Sequence, residues 1–211
     1  MPITGDLSGK VVERLSLYRQ LLLKYRLSEN LHINSSSISS LTGITQESVR
    51  RDLMLISCQS SNIRKGYEVE EMIQSINTVL DPYDKLRMAL VGDNDAFTET
   101  LLAEYENKLI RLVAVFDIDS PHKGAHREDL SRFHFDKIEE GIKNMRIDLV
   151  IVNVPGNFAQ KAAEIAVKAG AKGIVNLSPV KLEIPGVYID NINIITTIEK
   201  AAFFMKWRQY V

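Results

Sequence analysis

The sequence predicts an α/β protein with two domains, and three stretches of the chain carry this prediction. Ser35–Ile56 reads as two short amphipathic helices separated by a glycine turn. Met88–Ile195 alternates apolar strands with helical segments, which is typical of a parallel sheet covered by helices. Thr197–Tyr210 reads as an apolar and aromatic helix. We therefore expect a helical N-terminal domain, then a sheet domain, then a terminal helix.

The composition excludes several classes of protein. The 211 residues are 45% hydrophobic and 25% charged, with a net charge of −1, so any basic surface must be local. No apolar run approaches the roughly 18 residues that a membrane helix needs. Cys58 is the single cysteine, which excludes an internal disulfide and a cysteine-rich metal site. We expect a cytoplasmic protein.

The first domain is predicted to be helical. Lys10–Tyr25 repeats apolar residues at steps of three and four, and Ser8 is a candidate cap for this helix. In the next helix Ile38 and Leu41 mark the inner face, and Gly43 permits the left-handed residue that ends it. Thr45 then caps a second helix, whose inner face consists of Val49, Leu53 and Ile56. Helix, glycine turn and helix form the helix-turn-helix pattern, although a plain three-helix bundle would share it.

The outer face of this second helix carries side chains that suit DNA. The candidates for reading base edges or contacting phosphate from the major groove are Thr45, Gln46, Ser48, Arg50 and Arg51. A polar loop at Ser57–Asn62 and a basic strand-like piece at Ile63–Tyr67 follow, which together predict a wing. Arg64 and Lys65 at the wing tip would then contact backbone phosphate.

The domain boundary is predicted at Asp81–Asp84, where a proline ends the helix Glu68–Leu80. This gives a winged-helix DNA-binding domain at 1–81, a Rossmann-like dinucleotide-binding-type domain at 82–195 and a C-terminal helix at 196–211. The strands of the second domain are predicted at Met88–Val91, Leu109–Phe116, Asp148–Val154, Gly173–Leu177, Val187–Asp190 and Ile192–Ile195. Its helices are predicted at Ala96–Tyr105, Phe135–Asn144, Asn157–Ala169 and Thr197–Tyr210. The last of these has little core left to cover, which favours packing against a second copy of the chain.

The loop after the first of these strands resembles a dinucleotide-binding loop in part. Gly92 fills the first place of the G-x-G-x-x-G fingerprint, but Asn94 and Phe97 stand at the second and third. Asp93 and Asp95 place carboxylates where a pyrophosphate needs amide donors, and Asp95 could itself cap the following helix. Asp117, at the end of the second strand, is the candidate for the ribose hydroxyls, or else a turn cap. The candidate cofactor residues are therefore Gly92, Asp93, Asn94 and Asp117, and the loop predicts weak or absent NADH binding.

Catalytic and metal-binding patterns are sparse. The histidines His122, His126 and His134 lie in a polar stretch without metal-ligand spacing, and surface loop histidines explain them. No serine stands in a nucleophile elbow. We expect Cys58 to be a packed residue rather than a redox sensor. The prediction is that the protein is not an enzyme and holds no metal.

A set of short motifs extends over nearly the whole chain. The N-terminal motifs are Arg14–Tyr18, Leu41–Thr45 and Val49–Leu53. Those of the second domain are Val113–Asp119, Val154-Pro155, Ala162–Gly170, Gly173–Pro179 and Asn191–Asn193. In order and spacing this set resembles the Rex family of redox-sensing transcriptional repressors. The family's glycine-rich loop, Val-Gly-x-Gly-x-x-Gly, is Val91–Phe97 here, and its glycine-rich approach to the wing is Ser57–Asn62.

The resemblance implies a homodimer that binds a palindromic operator through paired winged helices. Family members leave DNA when NADH closes the dimer, and their C-terminal helix is exchanged into the partner subunit. It further implies that Arg50 and Arg51 contact DNA from the recognition helix and Arg64 and Lys65 from the wing, while Asp117 meets the adenosine ribose. Two alternatives remain open from the sequence: an NAD- or CoA-type enzyme subunit on the same fold, and an interaction protein that dimerises without DNA specificity.

Overall fold

The fold was analysed in a computed structural model that describes residues 7–28, 31–58, 66–81, 84–92, 94–105, 109–118 and 130–208. The contacts divide the chain into two compact units, Met1–Asp81 and Pro82–Val211. Each unit has its own hydrophobic core, and each is described by itself below.

The N-terminal unit is a helical domain with one small sheet. Its elements are α1 (Gly9–Arg26), β1 (His32–Ile33), α2 (Ser35–Thr42), α3 (Gln46–Leu55), β2 (Tyr67–Glu68) and α4 (Val69–Leu80). Strand β1 pairs antiparallel with β2, with His32 opposite Glu68. The core forms where Leu15 and Tyr18 of α1 meet Val49 of α3 and Met72 of α4.

Two details of this unit differ from the sequence prediction. Strand β1 lies before the helix-turn-helix and pairs with Tyr67 and Glu68 of β2, while Ile63–Lys65 of the predicted strand-like piece lie outside the described residues. A strand of two residues is too short to show the alternation that identifies strands in a sequence. Leu41 is 58% exposed, so its predicted place on the inner face of α2 is wrong.

The second unit contains a six-stranded parallel sheet. Its strands are β3 (Leu86–Val91), β4 (Ile110–Asp117), β5 (Ser131–His134), β6 (Leu149–Val152), β7 (Gly173–Asn176) and β8 (Tyr188–Asn191). Its helices are α5 (Asp95–Tyr105), α6 (Ile138–Met145), α7 (Gly156–Ala169) and α8 (Ile194–Arg208), with a 3-10 turn at Phe135–Lys137. The strand order β5-β4-β3-β6-β7-β8 is that of a dinucleotide-binding sheet, in which the order reverses between β3 and β6.

Helices cover both faces of this sheet because the strands are apolar on both faces. In β3, Ala89 and Val91 join the core beneath α6 and α7. Met88 and Leu90 point to the other face and pack with Leu102 of α5. Strands buried on both sides read as continuous apolar runs, which is the signal that made them recognisable in the sequence.

The ends of the second unit depart from the prediction. Strand β5 was not predicted, because its residues Ser-Arg-Phe-His are mostly polar and lie at the edge of the sheet. The short strand expected at Ile192–Ile195 is wrong, since α8 begins at Ile194 and is capped by Asn193, whose Oδ1 accepts the backbone N–H of Thr196 at 3.1 Å. Of the helices that the structure describes, none has the length and apolarity that crossing a bilayer requires.

Helix α8 carries large apolar side chains that are more than half exposed within the part of the chain that the structure describes. Ile198 and Phe204 are each 58% exposed, and Phe203 is 55% exposed. Exposed apolar residues grouped on one helix mark an interaction surface.

Candidate nucleic-acid interface and nucleotide site

The turn between α2 and α3 has the geometry of a helix-turn-helix. Gly43 ends α2 with a φ of 73°, the left-handed conformation that favours glycine. Thr45 precedes α3, and its Oγ1 accepts the backbone N–H of Ser48 at 3.3 Å. Thr45 Oγ1 also lies 2.8 Å from Ser48 Oγ. Both hydroxyls are therefore engaged at the helix start, where they are in a position to cap the helix and to meet a phosphate.

A single hydroxyl of α2 holds two of the predicted DNA-contacting side chains. Gln46 Nε2 and Arg50 Nε each donate to Ser35 Oγ at 3.1 Å. Gln46 and Arg50 are four residues apart, so they lie on the same face of α3. Ser35 is buried at 5% exposure, whereas Arg50 is exposed. Sequence reasoning missed Ser35, because a serine in the serine-rich run that forms α2 carries no signal of its own.

Arg51 also lies on the solvent-facing side of α3. Its Nη2 pairs with Oε1 of Glu47 at 2.6 Å, and the two side chains are 70% and 81% exposed. An exposed pair at this spacing contributes little to stability. The pair therefore does not prevent Arg51 from turning to a phosphate, although the carboxylate of Glu47 lowers the local positive potential.

The inner side of α3 is fixed to α1 by a buried ion pair. Asp52 is 1% exposed and accepts two hydrogen bonds from Arg14, at 2.7 Å from both Nε and Nη2. The hydroxyl of Tyr18 donates to the same carboxylate at 2.9 Å. Burial and the hydrogen bond to Asp52 raise the pKa of Tyr18, so the hydroxyl stays protonated and keeps donating. This network sets the rotation of α3, which keeps Arg50 and Arg51 on the outside.

Three further residues of this unit were singled out in the sequence: Arg64, Lys65 and Cys58. Arg64 and Lys65 lie outside the described residues, so their contact with DNA from a wing stays a prediction. Cys58 is buried at 4% exposure, and burial raises the pKa of its thiol to about 11. A thiol that is protonated at neutral pH and shielded from solvent is inert, in agreement with the expectation of a packed residue.

In the second unit Gly92 lies at the point where the strand order reverses. Its φ is 94°, and its backbone N–H donates to Phe116 O at 2.7 Å. A Cβ at this position would lie 2.0 Å from Asn153 O, at the carboxyl end of the neighbouring strand β6. Only glycine fits here, for reasons of both conformation and space. The first position of the fingerprint therefore has the tight turn that a dinucleotide loop needs.

The second position of the fingerprint holds Asn94, whose side chain caps a helix. Asn94 Oδ1 accepts the backbone N–H of Phe97 at 3.2 Å and so caps α5. The expectation that Asp95 caps this helix is corrected: Asp95 instead faces Arg132, with 3.4 Å between Oδ1 and Nη2. Phe97, at the third position of the fingerprint, is partly buried and packs against the core beneath α5. Asp93 lies outside the described residues.

Asp117 stands at the carboxyl end of β4, where the prediction placed the ribose carboxylate. It is 9% exposed, and its Cα partner on β5 is His134.

His134 Nδ1 lies 3.0 Å from Asp136 Oδ1, and the described residues hold no cluster of three metal-ligating side chains. His122 and His126 lie outside the described residues. Sequence reasoning missed Arg132, which reaches the loop from the unpredicted strand β5.

These residues fit a dinucleotide only in part. Gly92 and Asp117 occupy the places that the turn and the adenosine ribose require. At the amino end of α5, however, the Asn94 side chain takes an amide that a pyrophosphate would need, and Asp95 adds a carboxylate. The loop as it stands does not fit a pyrophosphate in the usual pose.

Comparisons with known proteins cover nearly the whole chain. A family model described as "Putative DNA-binding protein N-terminus" matches residues 6–53, and one described as "CoA binding domain" matches residues 85–180. The redox-sensing transcriptional repressor Rex of Exiguobacterium sibiricum is 27% identical over 198 residues, which cover 92% of this chain and 89% of that protein. Rex of Caldicellulosiruptor bescii is 29% identical, with the same coverage.

A solved structure shares the fold. The crystal structure of RSP in complex with beta-NAD+ and operator DNA has a TM-score of 0.81 and 24% sequence identity, and it covers 97% of this chain and 95% of that one. A helix-turn-helix unit followed by a Rossmann-type unit defines the class of protein. Within that class the resemblance predicted from the sequence is confirmed: the chain is similar to Rex repressors over nearly its whole length, at 27% and 29% identity to these two relatives.

Replacing Asn94 by glycine is expected to increase the affinity for NADH about tenfold. The substitution frees the Phe97 amide, and a hydrogen bond from an amide to a charged phosphate contributes roughly 1.5–3 kcal/mol. The loss of the cap should cost only a few tenths of a kcal/mol, because glycine is tolerated at this position. Isothermal titration calorimetry with NADH measures the difference.

Asn34→Gly is the matched control, since Asn34 Oδ1 caps α2 in the same way, at 2.8 Å from the N–H of Ser37 in the N-terminal unit. It should leave NADH affinity unchanged. Equal NADH affinities of the wild type and the Asn94 variant would contradict this account of the loop. So would binding by the wild type that is micromolar or tighter.

Proposed function

We propose that this chain is a DNA-binding transcriptional repressor, which acts as a homodimer on a palindromic operator and responds only weakly to NAD(H). The observation that carries the proposal is the exposure of Arg50 and Arg51 on α3, which the buried Asp52 network holds outward. Arginine can bind guanine in two hydrogen bonds or pair with phosphate, so this face suits the major groove.

Dimerisation is supported by the apolar surface of α8. Two recognition helices that read a palindrome need a fixed separation of about 34 Å, which a dimer supplies and a monomer does not. The homologous repressors and the RSP complex with operator DNA support binding of the proposed protein to an operator. The weak response to NAD(H) follows from the capped amino end of α5.

No observation favours an enzyme on this fold. The match to the CoA-binding model covers the second unit, but a fold shared with enzymes does not supply their chemistry. The curated relatives are named as repressors over nearly the same length as this chain.

The test is DNA binding by the full-length chain to palindromic duplexes selected from a random AT-rich library. We expect Arg50→Ala combined with Arg51→Ala to weaken binding about 100-fold, since each specific side-chain interaction with a base contributes roughly 1–3 kcal/mol. The slope of log affinity against log salt should fall by about one for each phosphate that the variant no longer neutralises. Gel shifts over a salt series measure both.

Arg19→Ala combined with Arg26→Ala is the matched control. Like Arg51, these two α1 arginines are paired with carboxylates, Asp81 and Glu70, and their removal changes the net charge as much as the test variant does. The control should retain affinity within about threefold. Failure of the wild type to shift any selected duplex at low salt would overturn the proposal, as would equal losses of affinity in the two double variants.

A further inference from the structure

A cationic cavity opens at the amino edge of the sheet, opposite the edge that carries Gly92 and Asp117. Three residues stand directly before three adjacent strands: Lys85 before β3, Asp148 before β6 and Lys172 before β7. Neighbouring strands lie about 4.8 Å apart, so these side chains emerge side by side. The cavity has a volume of about 610 Å³ and is lined by Lys85, Arg87, Asn144, Arg146, Asp148 and Lys172.

The residues that line the cavity carry more positive charge than the nearby carboxylates neutralise. Lys172 Nζ pairs with Asp148 Oδ1 at 2.7 Å, and Asp84 also acts on Lys172. Arg87 Nη1 donates to the carbonyl oxygen of Met145 at 2.7 Å, and its charge also acts on Asp148, so this one carboxylate is shared between Arg87 and Lys172. Within the described part of the chain, no carboxylate pairs with Lys85 or Arg146. In a chain whose net charge is −1, such a local surplus needs a reason.

Arg146 supplies an independent observation. It ends α6 in the left-handed conformation, with φ 51° and ψ 55°, and its backbone N–H donates to the carbonyls of Ile142 and Lys143. Glycine or asparagine is favoured at such a helix end, and an arginine there is strained. The unpaired carbonyl groups at the carboxyl end of α6 favour one nearby cation, and Arg87 already provides it through its hydrogen bond to Met145 O. The dipole of α6 therefore does not explain why Arg146 occupies a left-handed position that favours glycine or asparagine.

The chemistry of the cavity selects a class of ligand. Among the described residues its side chains are guanidinium, ammonium, amide and one carboxylate, and none of these is an aromatic ring that could stack on a base. Guanidinium groups bind phosphate oxygens in pairs, and a surplus of several cations matches a ligand with several negative charges. We infer that this cavity binds a small ligand carrying two or more phosphate groups. The site is separate from the nucleotide loop and does not depend on the proposed DNA binding.

The test is calorimetric titration of the full-length chain with inorganic tripolyphosphate at low ionic strength. Arg146→Gly should lower the affinity about tenfold while the thermal midpoint stays equal or rises, because glycine relieves the backbone strain. Arg146→Lys should lose less affinity than Arg146→Gly, since it keeps the charge but not the paired hydrogen bonds of the guanidinium. Lys161→Gln is the control, because Lys161 is an exposed cation of α7 outside the cavity. It should leave the affinity unchanged.

Three outcomes would overturn the inference. The first is that the wild type binds no tripolyphosphate. The second is that Arg146→Gly binds tripolyphosphate as tightly as the wild type; if that variant then binds the selected operator duplex more weakly, these cations belong to a nucleic-acid site. The third is that Lys161→Gln loses as much affinity as Arg146→Gly.

Discussion

Asp52→Ala is expected to lower the free energy of unfolding of the N-terminal unit by about 3 kcal/mol. Removing one partner of a buried ion pair leaves the other charge uncompensated, which costs roughly 3–5 kcal/mol. The lower end applies here, because the Arg14 side chain is 29% exposed and regains water when Asp52 is removed. The Tyr18 hydroxyl, which is fully buried, loses its acceptor as well. Denaturant unfolding at a fixed protein concentration measures the change.

Asp81→Ala is the matched control for this prediction. Asp81 pairs with Arg19 at the same distance of 2.7 Å, but its side chain is 39% exposed. An exposed pair contributes about 0–1 kcal/mol, so the control should change stability little. Equal losses of stability in the two variants would show that burial does not decide the strength of the Asp52 network.

Gly92→Ala is expected to destabilise the second unit by about 3 kcal/mol. A left-handed backbone costs a residue other than glycine roughly 1–2 kcal/mol, and an added methyl in a closely packed site costs roughly 1–3 kcal/mol. Both penalties apply, because the new Cβ would meet the backbone of Asn153 and the side chain of Val154. The spacing between the carboxyl ends of β3 and β6 would have to widen. Thermal and denaturant unfolding both report this destabilisation.

Gly186→Ala separates the two penalties. Gly186 has a φ of 79°, and nothing lies within 4 Å of the position of an added Cβ. This variant should lose only the conformational part, about 1–2 kcal/mol. If it loses as much as Gly92→Ala, the close approach of the two strands does not contribute.

Much of the architecture could be predicted because its signals are local. The caps at Gly43 and Thr45 lie where turn chemistry places them, and the strands β3, β4, β6 and β7 were recognised from apolar runs. Strands β1 and β5 were missed, because one has two residues and the other is polar at a sheet edge. Their formation depends on a partner strand that is distant in the sequence.

The candidate site was predictable in its residues but not in its internal hydrogen bonds. The spacing on α3 indicated that Arg50 and Arg51 face outward, and the structure places them there. Nothing in the sequence indicates that Asp52 pairs with Arg14 across 38 residues, or that Asn94 rather than Asp95 caps α5. Hydrogen bonds between elements depend on tertiary packing, which periodicity does not encode.

The hydroxyl of Ser35 has a consequence for how the proposed repressor would search a genome. On a non-cognate sequence Gln46 and Arg50 keep their internal acceptor, so sliding along the duplex leaves neither donor unsatisfied. Ser35 takes only one N–H of each side chain, so on a cognate sequence the remaining N–H groups of Gln46 and Arg50 could bond to a base without breaking the internal bond. The two side chains would then be ordered before they meet the operator, and less conformational entropy would be lost on cognate binding.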